Sequence, residues 1–251
     1  MPSQSLRDSS PGGRAFWILG EDFPMKSRVL VIFSTICLCV FLLAAITHLC
    51  AKSPYLMYQL MTHYAPSETT GLPAAEYAPV AKMITRYLQT GRNFQHTYVV
   101  NGMEYVAFNA KEQAHMADVH SLFFHSTWVC WMLLILSFGC LLQFDNNAPW
   151  KSLPHMLTFR HTLIAVLAVV TAVIILACID FNSLFVLFHQ IAFTNDLWLL
   201  NPQTDLLIRL MPIEFFISYA AIIGGLWLLG LTGLLVVSTI IINKPNKPKG
   251  E

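Results

Sequence analysis

Charge is what this chain has least of: Asp, Glu, Lys and Arg together make up 12% of its 251 residues, against 55% hydrophobic residues. A soluble domain carries about 25% charged residues, so this composition excludes one and points to a membrane protein. The formal net charge of +1 offers no basic face for neutralising phosphates, which argues against nucleic acid as a partner. Neither HExxH nor CxxC occurs, so the usual sequence signals for zinc are missing and no metal or cofactor is expected. There is no internal repeat and no low-complexity tract. The six cysteines, Cys37, Cys39, Cys50, Cys130, Cys140 and Cys178, lie within or at the edges of apolar stretches, which fits small apolar filler rather than a disulfide framework.

The remaining charges avoid four stretches. About 20 apolar helical residues are needed to cross ~30 Å of hydrocarbon, and residues 29–51, 119–144, 162–179 and 215–243 meet that need. The third is the shortest and is expected to extend through Asp180 toward Leu187. The first has a core longer than that of a secretion signal and no small-x-small site after it, so it is expected to remain as an anchor. In the fourth, Gly224, Gly225, Gly230 and Gly233 are expected to permit close helix contact. Arg7, Arg14, Lys26, Arg28, Lys151, Arg160, Lys244, Lys247 and Lys249 fall on one side of this arrangement. Positive residues near span ends tend to stay inside, so both termini are expected in the cytoplasm.

The expected organisation is therefore a cytoplasmic segment over 1–27, a four-span domain over 28–243 and a cytoplasmic tail over 244–251. The fold class is mainly α, with a small α+β extracytoplasmic cap over 52–118 and an outer re-entrant or interfacial loop over 181–214. Residues 15–19, with Trp17, are expected to rest on the inner membrane surface. In the cap, Ser53-Pro54 and the stretch 66–73 read as loops, and 76–88 has helical periodicity. Residues 97–100 and 103–106 flank Asn101-Gly102, which readily takes the positive φ of a tight hairpin. That hairpin is expected to pack on neighbouring helices. Asn109 and Glu112 have the spacing of a capping box that starts a helix running unbroken into the second span.

His115 lies three residues before the second span and His189 about nine after the third, so both imidazoles emerge on the same side at headgroup depth. Two groups that titrate near neutrality and face one another suit acid–base chemistry. Glu112 and Asp118 flank His115 at helical spacing, as candidates to orient it. Asn195, Asp196, Trp198 and Asp205 form a polar set beyond His189, as supporting or substrate-binding candidates. Taken singly, a lone interfacial His or Asp is more often a solvated or hydrogen-bonded structural group. His120 and His125 lie about 140° apart on a helix and cannot form one ligand face. His63 and His96 have no evident partner.

Two stretches then carry a resemblance. KEQAHMADV at 111–119 and FHQIAFTNDLWLLNPQTDLLIRLMPIEFF at 188–216 resemble blocks of the bacterial lipoprotein intramolecular transacylases. The resemblance implies transfer of an acyl chain from the sn-2 ester of a diacylglyceryl-modified cysteine to the α-amine of that cysteine, giving a lyso-form lipoprotein. It implies catalytic roles for His115 and His189, a diacylated lipoprotein and membrane lipid as partners, and an active site at the outer leaflet. His120 departs from it, standing where a basic side chain such as Lys is expected. Other readings of the residues are a haem-carrying electron-transfer bundle, a non-enzymatic receptor or chaperone, and an acyltransferase or phospholipase acting on free lipid.

Overall fold

The computed structural model describes residues 25–142 and 153–243. The expected surface-resting stretch around Trp17, Lys151 in the inner loop and the tail from residue 244 lie outside the described residues. Among the described residues four helices are long and apolar enough to cross a membrane: α1 (Met25–Ala51), α5 (Ala110–Leu142), α6 (Leu153–Ile179) and α9 (Ile213–Asn243). Between α1 and α5 come α2 (Pro54–Tyr64), α3 (Ser67–Thr70), a 3-10 turn (Ala74–Glu76), α4 (Tyr77–Thr90), β1 (Thr97–Val100) and β2 (Met103–Val106). Between α6 and α9 come α7 (Phe181–Ala192) and α8 (Leu206–Leu210).

α1 packs along α5, α6 and α9, and α6 packs along α9. With no water to expel between lipid-embedded helices, packing and hydrogen bonds join them. Ser34 Oγ donates to the Ser137 carbonyl at 3.0 Å and Ser137 Oγ donates to the Ser34 carbonyl at 3.1 Å, which clamps α1 to α5. Trp227 Nε1 donates to the Cys39 carbonyl at 2.9 Å, tying α9 to α1 beside buried Leu163 and Leu231. Large apolar residues such as Trp128, Ile135 and Leu229 face outward, as lipid contact requires. The expected close contacts at the α9 glycines are not made: a Cβ added at Gly224, Gly225, Gly230 or Gly233 meets no atom within 4 Å. Bulky neighbours such as Trp227 and Leu231 make the α9 contacts instead.

α6 differs from its expected limits at both ends. It begins at Leu153, taking Arg160 and His161 into the helix, and it stops at Ile179. Asp180 leaves helical geometry, with φ −151° and ψ 84°, and its carboxylate accepts from Ser183 N at 3.0 Å to cap a new helix, α7. The local cap outcompetes continuation of the apolar run. A similar device corrects the reading at Ser53-Pro54. Ser53 Oγ accepts from Leu56 N at 3.2 Å and Pro54 opens α2, where its missing amide costs nothing. Within 66–73, likewise, one helical turn forms at α3.

The main core lies in the cap, where Met61, Leu72, Tyr77, Val80, Ile84, Phe108, Leu210 and Phe215 are almost completely buried. This cluster takes residues from α2, α4, α8 and α9, so the cap and the segment before α9 form one body. The hairpin turns at Asn101 (φ 53°) and Gly102 (φ 80°), with Thr97 opposite Val106. It packs less than expected: Val99, Met103, Tyr105 and Val106 are exposed, and Tyr98 is the residue that reaches the core. His96, which had no evident partner in the sequence, pairs with Glu76 at 2.8 Å.

Candidate active site

The capping box forms at the start of α5. Asn109 Oδ1 accepts from Glu112 N at 3.0 Å and Glu112 Oε2 accepts from Asn109 N at 2.7 Å. Glu112 Oε1 accepts from Leu207 N at 2.6 Å, in the first turn of α8. Glu112 is 1% exposed and accepts from backbone amides on both oxygens, so it fixes the helix that carries His115, and His115 Nδ1 makes no hydrogen bond to it. Asp205, also buried, completes this junction. It accepts from Asn109 Nδ2, Thr204 Oγ1 and Asn201 N, each at 2.8 Å. Burial works to raise its carboxyl pKa, but these hydrogen bonds and Lys111 outweigh burial and hold it below the ordinary carboxylate value.

One turn further along α5 stands His115, facing His189 at the end of α7. Their ring centroids are 6.3 Å apart and the ring planes 33° from parallel, and both residues are 8% exposed. Phe193 touches both, with centroids 5.4 Å from His115 and 5.6 Å from His189. Phe185 lies 4.2 Å, Trp198 5.0 Å and Phe188 5.3 Å from His189, so aromatic rings enclose that imidazole and limit water.

The protonation of His189 follows from one hydrogen bond. Its Nδ1 lies 2.7 Å from the Phe185 carbonyl, and a carbonyl can only accept. The neutral ring therefore carries its proton on Nδ1 and a lone pair on Nε2. Burial lowers its pKa below 6.5, with the Phe185 bond acting in the opposite direction, which keeps the ring neutral at pH 7. His115 Nδ1 is buried without a hydrogen-bond partner among the described residues.

The other expected residues divide. Asp118 Oδ2 accepts from Asn195 Nδ2 at 2.9 Å, and Asn195 Oδ1 accepts from Leu197 N at 3.0 Å, so this pair ties the loop after α7 to α5. Trp198 is brought to His189, at 5.0 Å between centroids. Asp196 is exposed, and its side chain makes no hydrogen bond or ion pair among the described residues. His120 Nδ1 contacts the Leu88 carbonyl at 3.3 Å and His125 Nδ1 the Ser121 carbonyl at 2.7 Å, away from the pair. Among the described residues no group of three or more His, Cys, Asp or Glu could hold a metal ion. Sequence reasoning missed Phe185 and Phe193. Their spacing of four residues on either side of His189 is the signal that could have found them.

Fold and site together define a class, a polytopic membrane protein with four candidate spanning helices among the described residues and two buried histidines side by side. The family described as lipoprotein intramolecular transacylase Lit matches residues 31–216, and the chain belongs to that family. It is accordingly a membrane-integral acyltransferase that works on lipoprotein among membrane lipid. A comparison with curated proteins finds no match. Among solved structures it is similar to an in meso structure of Lit from Bacillus cereus, with a TM-score of 0.68 at 17% identity, covering 86% of this chain and 96% of that one. A variant of the same protein with a histidine replaced by arginine gives 0.65 at 17% identity, covering 92% and 96%. A histidine-to-alanine variant gives 0.65 at 17% identity, covering 91% and 97%. At this identity the likeness concerns the fold.

Proposed function

We propose that the chain moves the sn-2 acyl chain of a diacylglyceryl-cysteine lipoprotein onto the α-amine of the same cysteine, and that His115 and His189 carry the transfer. The observation that supports this is the pair itself: two buried imidazoles with centroids 6.3 Å apart, one with its tautomer fixed. His189 Nε2, bearing the lone pair, is the base, and His115 is the electrophile.

The free-base amine attacks the sn-2 ester carbonyl, and Nε2 of His189 takes the proton that the nitrogen loses. The new C–N bond leaves an oxyanion, which a ring N–H of His115 holds. When the C–O bond to glycerol breaks, the proton on His189 passes to the departing oxygen. An amide and a free sn-2 hydroxyl result, with no net gain or loss of protons. Amine and ester belong to one molecule, so the protein's task is largely to fold that headgroup, for which effective molarities are large. Exclusion of water by Phe185, Phe188, Phe193 and Trp198 favours the amine over hydrolysis.

Placement follows from the same reading. The basic residues of the termini and the inner loop put both ends in the cytoplasm. The cap (52–118), the segment 181–214 and the histidine pair then lie at the outer leaflet, where a lipoprotein is anchored. Incubating purified protein with a diacylated lipopeptide bearing a free amine, and with phospholipid alongside, tests this. Fragmentation should find the acyl chain on the cysteine nitrogen; transfer from phospholipid, or release of free fatty acid alone, would contradict it.

A further inference from the structure

A second feature lies on a different face of α5. Lys52, Gln89, His120, Phe124, Trp128 and Trp131 line a cavity of about 270 Å³ where the ends of α1 and α4 meet α5. His120 is roughly 140° round the helix from His115, so the cavity is separate from the histidine pair. Lys52 pairs with no carboxylate among the described residues and is only partly exposed. The His120 ring is held in the wall by the Leu88 carbonyl at 3.3 Å and by Gly91, where a Cβ would come within 2.6 Å of Nε2. Below this polar mouth the wall turns aromatic, and Phe124, Trp128 and Trp131 are 53%, 65% and 57% exposed.

That order, a cation with hydrogen-bonding groups above and exposed tryptophans below, follows the polarity of a phospholipid at the membrane boundary. Pockets for whole ligands run to ~300–1,000 Å³, so 270 Å³ suits a headgroup whose tails stay outside on the tryptophans. A lone hydrocarbon chain would leave Lys52 unused, and a free inorganic anion would leave the aromatic wall unused.

We infer that this cavity is a binding site for an anionic glycerophospholipid, with the phosphodiester on Lys52 and the acyl chains along Trp128 and Trp131. The site is independent of the acyl-transfer reading, since none of its residues serves the histidine pair.

The test is native mass spectrometry of the full chain, delipidated in detergent and titrated with dioleoyl phosphatidylglycerol, dioleoylglycerol or inorganic phosphate. One phosphatidylglycerol should bind, dioleoylglycerol should fail to displace it, and inorganic phosphate should not compete at matched concentration. Lys52→Gln should weaken binding on the order of tenfold, Lys52→Arg should retain it, and both should keep transacylase turnover. Equal binding of dioleoylglycerol would reduce the site to a greasy surface, and displacement by phosphate would make it a free-anion site. Unchanged affinity in Lys52→Gln would remove the lysine. Any of these overturns the proposal, and the competition arms use the wild-type protein, so a Lys52 variant that fails to fold does not spoil the test.

Discussion

Asn195 donates to Asp118 across 77 positions of sequence, at 2.9 Å, and this bond latches the loop after α7 onto the helix that carries His115. The latch is exposed, so its loss should cost less than a buried contact would. Asn195→Ala should slow transfer by about tenfold or less, through looser placement of Trp198 and Phe193. Asn195→Asp sets two carboxylates against each other and should slow it further, with relief as pH falls toward the carboxylate range. Rates for both variants with a diacylated lipopeptide check this; equal rates for the two would remove the latch.

With His189 as the base, the pH dependence above 6.5 falls to the substrate. A depressed imidazole pKa means that Nε2 already holds its lone pair above pH 6.5. The remaining rise in rate should then follow deprotonation of the substrate amine, at ~7.7–8.0. Rate measured from pH 5.5 to 9.5 should climb, pass its half-maximum at about 8 and flatten roughly one pH unit higher. Lowering the amine pKa by substitution next to it should move the limb by the same amount. A limb that stays in place would assign the titration to the protein.

Glu112 should behave as a structural clamp. Glu112→Ala leaves the Asn109 and Leu207 amides without their buried acceptor, a loss of roughly 1–3 kcal/mol for each unsatisfied group. Glu112→Gln retains one acceptor and should lose less. Thermal unfolding in detergent reads the order wild type, Gln, Ala. A Glu112→Ala protein of unchanged stability but no activity would instead make Glu112 a chemical participant.

Asp205 adds a second, pH-linked contribution to the same junction. Its folded-state pKa is lowered, so the stability it contributes is present above the unfolded value near 3.9 and is lost as pH falls through the folded one. Asp205→Asn should flatten the acid loss of stability as pH falls below about 4. An identical acid profile in the variant would contradict the assignment.

Features set by neighbouring residues were legible in the sequence. The Asn109/Glu112 box and the Asn101-Gly102 turn are local chemistry, and both form as expected. Uncharged runs located the four spans, because lipid penalises any interruption. The end of α6 was hidden because Asp180 stands in an apolar run, and its role as a cap depends on Ser183 rather than on hydropathy. The two bonds that assemble the site, Glu112 to Leu207 and Asn195 to Asp118, join segments 95 and 77 positions apart, and no periodicity records them. The aromatic cage around His189 lay in a stretch so rich in Phe and Leu that its ring-facing members did not stand out.

The pair is best tested by three variants in one assay: His115→Ala, His189→Ala and the double variant, each checked for membrane insertion. Residues that act as a unit are not additive, so each single change should cost about 10²–10⁴ in rate and the double should cost little more than either. Fragmentation should show no acyl chain on the cysteine nitrogen above background. A single variant that forms N-acylated product at the wild-type rate would take that histidine out of the chemistry.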